Sequence, residues 1–471
     1  MNQPAFSSLD LNQDLLRNLE SLGFAAMTPI QAQSLPAILA GKDVIAQGKT
    51  GSGKTAAFGL GVLSKLDTSR FDVKSLVLCP TRELADQVAQ EIRRLARTTK
   101  NVKVSTLCGG TPFRAQAESL LHGAHILVGT PGRVEDHLRK HTLKLDSVTT
   151  LVLDEADRML DMGFQETLDK IIDQVPDSRQ TLLFSATYPD EIQSIAERVM
   201  IEPVMAKVES THDSKTIRQH FFNVDECQDR VTALRLLLLQ YRPESAVVFC
   251  NTKREAQDVA EDLRGHGFVA LALHGDLDQR DRDQTLVRFA NKSATVLVAT
   301  DVAARGLDIE SLDAVINYQL AHEVEIHLHR IGRTGRAGNT GKAYTLISDK
   351  ESYKVALLQD YIGQQIVPES LPPAGLLQKA ANKPAMATLL IDGGKKQKIR
   401  PGDILGALTA QNGIAGAAVG KINIFDNRSY VAVKIEVAKS ALKILSNGKL
   451  KGRSFRTRQL RGYPEKKRND R

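Results

Sequence analysis

Asp154, Glu155 and Asp157 close the apolar run Thr150-Leu151-Val152-Leu153, so three carboxylates stand at the mouth of what reads as a buried strand. Upstream, "GKTGSGKT" (48–55) fits the phosphate-binding pattern G-x-x-x-x-G-K-[ST], set between the run "DVIAQ" and a helix start. Along Gly48, Thr50, Gly51, Ser52 and Gly53, backbone N–H groups can close around phosphate oxygens. Lys54 adds a point charge at the β- and γ-phosphates, and the Thr55 hydroxyl can ligate Mg2+. A Mg2+-nucleotide also needs a carboxylate at a strand end beside that loop, the role that Asp154 matches. Glu155, one residue on, can orient or deprotonate an attacking water. A solvated acidic turn would explain the carboxylates alone, but no single local rule places both signatures in one domain.

Parallel sheets are the elements that can hold such groups. "KSLVLCP", "HILVGTP", "TTLVLDEAD" and "QTLLFSAT" each end a continuous apolar run in small, polar or acidic residues. Farther on, "SAVVFCNT", "ATVLVATD" and "DAVINY" repeat the theme. Unbroken apolarity predicts strands covered on both faces, hence parallel sheets with crossover helices and ligands beyond the strands' carboxyl ends. The expected organisation is two α/β domains, 1–207 and 216–367, joined by a linker over 208–215. A proline-rich linker over 368–385 leads to a β-α-β-β-α-β piece over 386–460, with a hairpin across Asp426-Asn427. That order fits a small α+β, ferredoxin-like RNA-recognition module.

Charge separates the ends. Residues 380–471 hold 20 Lys and Arg against 6 Asp and Glu, so the net +8 conceals a mildly acidic body and a strongly basic end suited to a polyanion. The basic tail 461–471 is expected to add non-specific affinity. No run approaches the length of a membrane span, and no secretory leader is visible at the start. The four scattered cysteines form no CxxC pair, which argues against disulfides and against any metal beyond nucleotide-bound Mg2+. A cytoplasmic, monomeric protein without a membrane partner is expected.

The ordered motifs resemble those of the DEAD-box RNA helicases, whose name Asp154 to Asp157 spells. "GFAAMTPIQ" (23–31) looks like the family's Q motif, with Phe6 upstream; "PTRELA", "GG" (109–110), "TPGR", "SAT", "TDVAARGLDI" and "HRIGRTGR" follow in order. The resemblance implies two RecA-like P-loop NTPase domains, ATP and Mg2+ as cofactors, and RNA as partner. It implies that Gln31 reads the adenine edge while Phe6 stacks on its face, and that Gly306 and Asp308 face the ribose. Arg333 and Arg336 would be arginine fingers across the interdomain cleft. Ser185, Thr187 and Arg330 would couple hydrolysis to strand separation, with Arg330 contacting the acidic motif and the SAT segment. Thr81, Arg82, Gly110, Thr130, Gly132 and Arg133 in the first domain, with Asn251, Thr252 and Thr300 in the second, would hold the RNA backbone.

The basic module resembles that of the DbpA branch, which implies targeting to a large-subunit ribosomal RNA hairpin during ribosome assembly. "RSYVAVKI" (428–435) departs from the usual base-stacking motif, because Ala432 and Ile435 stand where aromatics are expected. Two other classes are compatible with parts of the pattern: a non-enzymatic RNA clamp or annealing chaperone, and a DNA helicase.

Overall fold

A computed structural model describes residues 4–48, 51–208, 217–224, 229–304, 312–335, 341–411 and 413–460. Its contacts divide the chain into two compact units, the first carrying one sheet and the second carrying two.

The first unit is a seven-stranded parallel sheet. Its strands are β1 (Val44–Gln47), β2 (Ser75–Leu78), β3 (Val104–Leu107), β4 (Ile126–Gly129), β5 (Thr150–Asp154), β6 (Gln180–Ser185) and β7 (Val204–Lys207), in spatial order β3-β4-β2-β5-β6-β1-β7. The central strands are buried along their whole length, as unbroken apolar runs demand of a sheet covered on both faces. Phe58 from the helix Lys54–Ser64 meets Phe184 of β6 edge-on, 5.1 Å between ring centres. Because all strands run parallel, the segments after β1, β2, β4, β5 and β6 emerge along one edge of the sheet. The acidic and phosphate-loop motifs both lie on that edge.

The opposite edge is tied by one buried carboxylate. Asp43 accepts from the Thr181 N–H at 2.7 Å and the Ile201 N–H at 2.8 Å, fixing the starts of β1 and β6 and the approach to β7.

In the second unit, six parallel strands take the order β10-β11-β9-β12-β13-β8. They are β8 (Ile217–Asn223), β9 (Ala246–Cys250), β10 (Ala270–Leu273), β11 (Val296–Thr300), β12 (Ala314–Asn317) and β13 (Gly341–Ile347). A four-stranded antiparallel sheet follows, in the order β15-β16-β14-β17, from β14 (Met386–Ile391), β15 (Val419–Ile424), β16 (Ser429–Lys434) and β17 (Thr457–Gln459). The hairpin joins β15 and β16, and the helices Pro401–Thr409 and Ala438–Asn447 complete the expected β-α-β-β-α-β order.

The proline-rich stretch before β14 differs from the free linker its composition predicts. Leu371, Leu376, Leu377 and Ala381 pack against the core of the second unit. Four apolar side chains spaced along this stretch make it a strap, in which a short 3-10 helix (Ala374–Gln378) follows Pro373.

Both faces of the antiparallel sheet are covered. By the two-residue period of a strand, Ala387, Leu389 and Ile391 enter the module's own core under its helices. Thr388 and Leu390 face the other way, where Leu390 and Tyr430 cluster with Val287 of the helix Gln279–Ala290. The Thr388 hydroxyl lies 2.7 Å from Ser293 Oγ and accepts from Asn291 Nδ2 at 3.3 Å, all three residues being buried. Ala432 is buried on β16 beside Tyr430, and a small side chain suits that position because the sheet has no free face there.

Thr388→Val should therefore leave Asn291 Nδ2 without its Thr388 acceptor, while Ser293 keeps its bond to the Arg288 carbonyl, and cost about 1–3 kcal/mol of stability. Denaturant unfolding of the full chain reads that loss.

Candidate nucleotide and RNA site

The carboxyl edge of the first sheet gathers the charged residues. Asp154 ends β5, and Glu155 follows in the left-handed region at φ 53°, a conformation costing a side-chain-bearing residue about 1–2 kcal/mol. The turn swings the chain from strand into the helix Ala156–Asp161 and leaves Asp154, Glu155, Asp157 and Arg158 all buried. Arg158 Nη1 donates to Glu155 Oε2 at 2.9 Å, a buried ion pair. Burial and the neighbouring Glu155 charge push the Asp154 carboxyl from 3.8 up to about 7.

Asp157 joins two motifs. Its Oδ2 accepts from the Thr187 N–H at 2.9 Å, the Thr187 hydroxyl at 2.8 Å and the Ala186 N–H at 3.2 Å. Ser185 Oγ accepts from the Asp157 N–H at 3.4 Å. Burial alone would raise the Asp157 carboxyl, but the Thr187 donors outweigh it and hold the group below its ordinary value. The expected coupling pair Ser185 and Thr187 is thus brought to the acidic motif, and the side chain receiving Thr187 is Asp157, which was not among the expected site residues.

In the phosphate loop, Lys54 Nζ donates to the Gly48 carbonyl at 2.5 Å. Burial lowers its ammonium pKa, opposed by the charges of Asp154, Glu155 and Asp157. Gly51 and Gly53 take φ +82° and +95°, and a Cβ on Gly53 would fall 2.5 Å from Gln31 Nε2. The buried Ser52 Oγ has no hydrogen-bond partner among the described residues. A glycine cradle, an unpartnered hydroxyl and a lysine capping its own loop's carbonyl together fit an incoming phosphate chain. Thr55 begins the helix beside Lys54. Gln31 spends both ends of its amide: Oε1 accepts the Thr28 N–H at 2.9 Å and Nε2 donates to the Gly53 carbonyl at 3.1 Å. Phe6 is 4% exposed, edge-on to Phe24 at 6.0 Å, so the ring expected to stack on a base is here part of the core. Thr50 lies outside the described residues.

Along the same edge, Thr81 Oγ1 caps the helix Arg82–Leu95 by accepting from the Leu84 N–H at 3.3 Å. The Arg82 guanidinium lies against Gly109, where a Cβ would come within 2.6 Å of Nη2, and Gly110 takes φ +83°. Thr130 precedes the helix Pro131–Arg139, with Gly132 in open space and Arg133 Nη1 donating to the Thr111 carbonyl at 2.9 Å. All six expected RNA contacts of this unit therefore follow β2, β3 and β4 on one edge.

In the second unit, Asn251 and Thr252 follow β9 and Thr300 ends β11. Thr252 caps the next helix through the Glu255 N–H at 3.2 Å. Arg330 departs from its expected role. Its Nε and Nη2 grip Asp301 at 2.6 and 2.8 Å, Nη2 also reaches Asn251 Oδ1 at 2.7 Å, and Nη1 donates to the Gln319 carbonyl at 2.8 Å. At 1% exposure all three nitrogens are engaged inside this unit, so the side chain braces the ends of β9, β11 and β12. Arg333 is nearly buried, three residues after Arg330 and just past the helix Val324–Ile331, while Gly306, Asp308 and Arg336 lie outside the described residues.

Comparison with known proteins decides the family. Residues 28–195 match the DEAD/DEAH box helicase family, 229–338 the helicase conserved C-terminal domain, and 388–459 the DbpA RNA binding domain. The ATP-dependent RNA helicase DbpA of Escherichia coli is 54% identical over 97% of this chain and 100% of its own.

The chain belongs to the DbpA-type DEAD-box RNA helicases.

The Bacillus subtilis ATP-dependent RNA helicase DbpA is 36% identical over 96% of this chain and 98% of its own. Among solved structures, Saccharomyces cerevisiae Dbp5 bound to RNA and ADP BeF3 is similar at TM-score 0.70 and 29% identity, covering 78% of this chain and 95% of that one. Mss116p bound to ssRNA and AMP-PNP is similar at TM-score 0.70 and 28% identity, covering 80% and 81%. The two parallel-sheet units of this helicase are thus RecA-like, and its activity is ATP-dependent and directed at RNA. Among the described residues, no helix is long and apolar enough to cross a membrane.

A pH test follows from Asp154. Its folded pKa near 7 exceeds its ordinary 3.8, so the native state holds a proton that the unfolded chain has released. Stability attributable to this group therefore falls as pH rises from 4 towards 7 and stays low above it, by at most about 4 kcal/mol. Asp154→Asn should raise the melting temperature at pH 8, and thermal unfolding should show the gain shrinking as pH falls towards 5.

Proposed function

We propose that this helicase couples hydrolysis of Mg2+-ATP to local, non-processive separation of RNA strands. We further propose that its C-terminal module directs it to a hairpin of the large-subunit ribosomal RNA during ribosome assembly, in the cytoplasm and as a monomer. The observation that supports the reading best is the joining, in one chain, of an intact nucleotide motif set with a DbpA RNA binding domain over 388–459.

Bound Mg2+ would neutralise phosphate charge, held through the Thr55 hydroxyl and the Asp154 carboxylate. Lys54 would exchange the Gly48 carbonyl for phosphate oxygens. Glu155, paired with Arg158, would orient or deprotonate the water, and Gln31 and Phe6 would hold the base. Turnover would require Arg333 and Arg336 to reach the γ-phosphoryl group, where such a guanidinium contributes about 10³–10⁵ in rate, or roughly 4–7 kcal/mol. Arg330 takes the brace role, holding Asn251 and Asp301 beside the expected RNA residues Asn251 and Thr300.

Sugar-phosphate contacts position a strand without reading sequence, so target choice falls to the basic module. Because Tyr430 and Ala432 are buried, selection there rests on exposed groups such as Lys395, Lys396, Lys398, Arg400, Lys449 and Arg453.

Glu155→Gln should keep ATP and RNA binding while steady-state phosphate release falls by at least about 10²-fold. Retained turnover would remove Glu155 from the chemistry. Lys395→Glu, Lys396→Glu and Lys449→Glu together should erase the preference for 23S ribosomal RNA over unrelated RNA, read as half-saturating concentrations for ATPase stimulation. Crosslinking and sequencing of the bound RNA identifies the target. Stimulation by DNA equal to that by RNA of matched sequence would favour a DNA helicase, and RNA-independent turnover a clamp.

A further inference from the structure

Gln116 belongs to no motif of the nucleotide or RNA site. It lies on the helix Phe113–Leu121 and is 6% exposed. Its Nε2 donates to the Cys108 carbonyl at 2.9 Å, immediately before Gly109, which sets the amide's orientation. Its Oε1 therefore faces the other way, where Arg133 Nη1 donates to it at 2.6 Å and His137 Nε2 lies 3.2 Å off.

His137 holds that oxygen from behind. It is fully buried, its ring stacked on Phe113 at 4.1 Å, with the Lys140 ammonium over the same phenyl ring. Burial, followed by the nearby Arg133 charge, pushes the imidazole down to about 4, so it is neutral at physiological pH. An amide oxygen carries no hydrogen, hence Nε2 is the protonated nitrogen, and Nδ1 accepts from the Thr142 hydroxyl at 2.8 Å. Thr142, His137 and Gln116 form a chain of donors ending on one oxygen, and that oxygen meets Arg133.

Arginine side chains are costly to order, and an engaged Nη1 fixes the plane of the whole guanidinium. Among the described residues, Arg133 makes hydrogen bonds only through Nη1, to Gln116 and to the Thr111 carbonyl. The Nε–Nη2 edge, whose two parallel N–H groups match a phosphate, remains available.

We infer that Gln116 is a positioning residue for RNA binding: its Oε1 holds Arg133 by Nη1 and so presents the Nε–Nη2 edge to a phosphate of the bound strand. The inference rests on the reading of Arg133 as an RNA contact. Without the oxygen, the Thr111 carbonyl alone still holds Nη1, and the RNA must supply the rest of the ordering, at about 0.5–1.5 kcal/mol. That corresponds to a rise of about fivefold in the RNA concentration that half-saturates ATPase stimulation.

The test titrates RNA against the full chain carrying Gln116→Met, Gln116→Glu, Arg133→Ala, or Gln116→Met with Arg133→Ala. Gln116→Met should raise half-saturating RNA by about fivefold while half-saturating ATP and the rate at saturating RNA hold. Gln116→Glu keeps an acceptor for Arg133 but loses the donor to the Cys108 carbonyl, so it should recover only part of the loss. In the Arg133→Ala background, Gln116→Met should change nothing, since the group it positions is gone. Should Met not fold there, Gln116→Asn withdraws the same oxygen by one methylene and carries the same expectations. An unchanged half-saturation in Gln116→Met beside a raised one in Arg133→Ala overturns the positioning role alone. A Gln116→Met effect that persists in the Arg133→Ala background overturns it as a general packing defect. If Arg133→Ala leaves RNA binding intact, the reading of this RNA surface fails first, and the positioning role with it.

Discussion

Crowding of charge around the Lys54 ammonium is the constraint on which the first unit depends. Three carboxylates and the Arg158 guanidinium are buried within electrostatic reach of it, and no arrangement of five such groups is comfortable out of water. The structure resolves the conflict by giving each group a separate solution. Glu155 takes Arg158, Asp157 takes the donors of the SAT segment, Lys54 takes a carbonyl of its own loop, and Asp154 is left with a raised pKa. The group left least satisfied is the one assigned to the metal, and the cation capping a carbonyl is the one assigned to phosphate. A site strained in this way gains by admitting a ligand that carries both a divalent cation and phosphate oxygens.

Much of this was legible because its signals are local. Continuous apolar runs with polar ends specify parallel strands and the edge where ligands bind, and the structure has its expected motifs on that edge. The hairpin and helices of the basic module followed from turn residues and periodicity in the same way. What was not legible depends on partners distant in sequence. Gln116 and His137 look like unremarkable helix residues until β3, β4 and two helix starts converge on them. Arg330 carries a motif position that suggests outward reach, but the Asp301, Asn251 and Gln319 groups that absorb it come from three different strand ends. Arg158 could have been found, since three residues on a helix separate it from Glu155 and that spacing pairs opposite charges. The proline-rich strap shows the limit of composition: prolines disfavour an α-helix, yet a 3-10 turn forms over Ala374–Gln378, and the four apolar side chains decide for packing.

Buried polar contacts recur as the means of fixing register. Asp43 spans three strands of the first sheet, Arg330 spans three strand ends of the second, and Thr388 spans module and core. Apolar packing would tolerate small sliding at each place, whereas a hydrogen bond out of water does not, because its loss leaves both partners unpaired.

The seating of the antiparallel module has a mechanical meaning. With Leu390, Tyr430 and Val287 packed together and Thr388 bonded to Asn291 and Ser293, the module is seated on the helix Gln279–Ala290 and the turn after it. Through that seat the basic surface is fastened to the second RecA-like body, a lever arm bolted to the part that carries it.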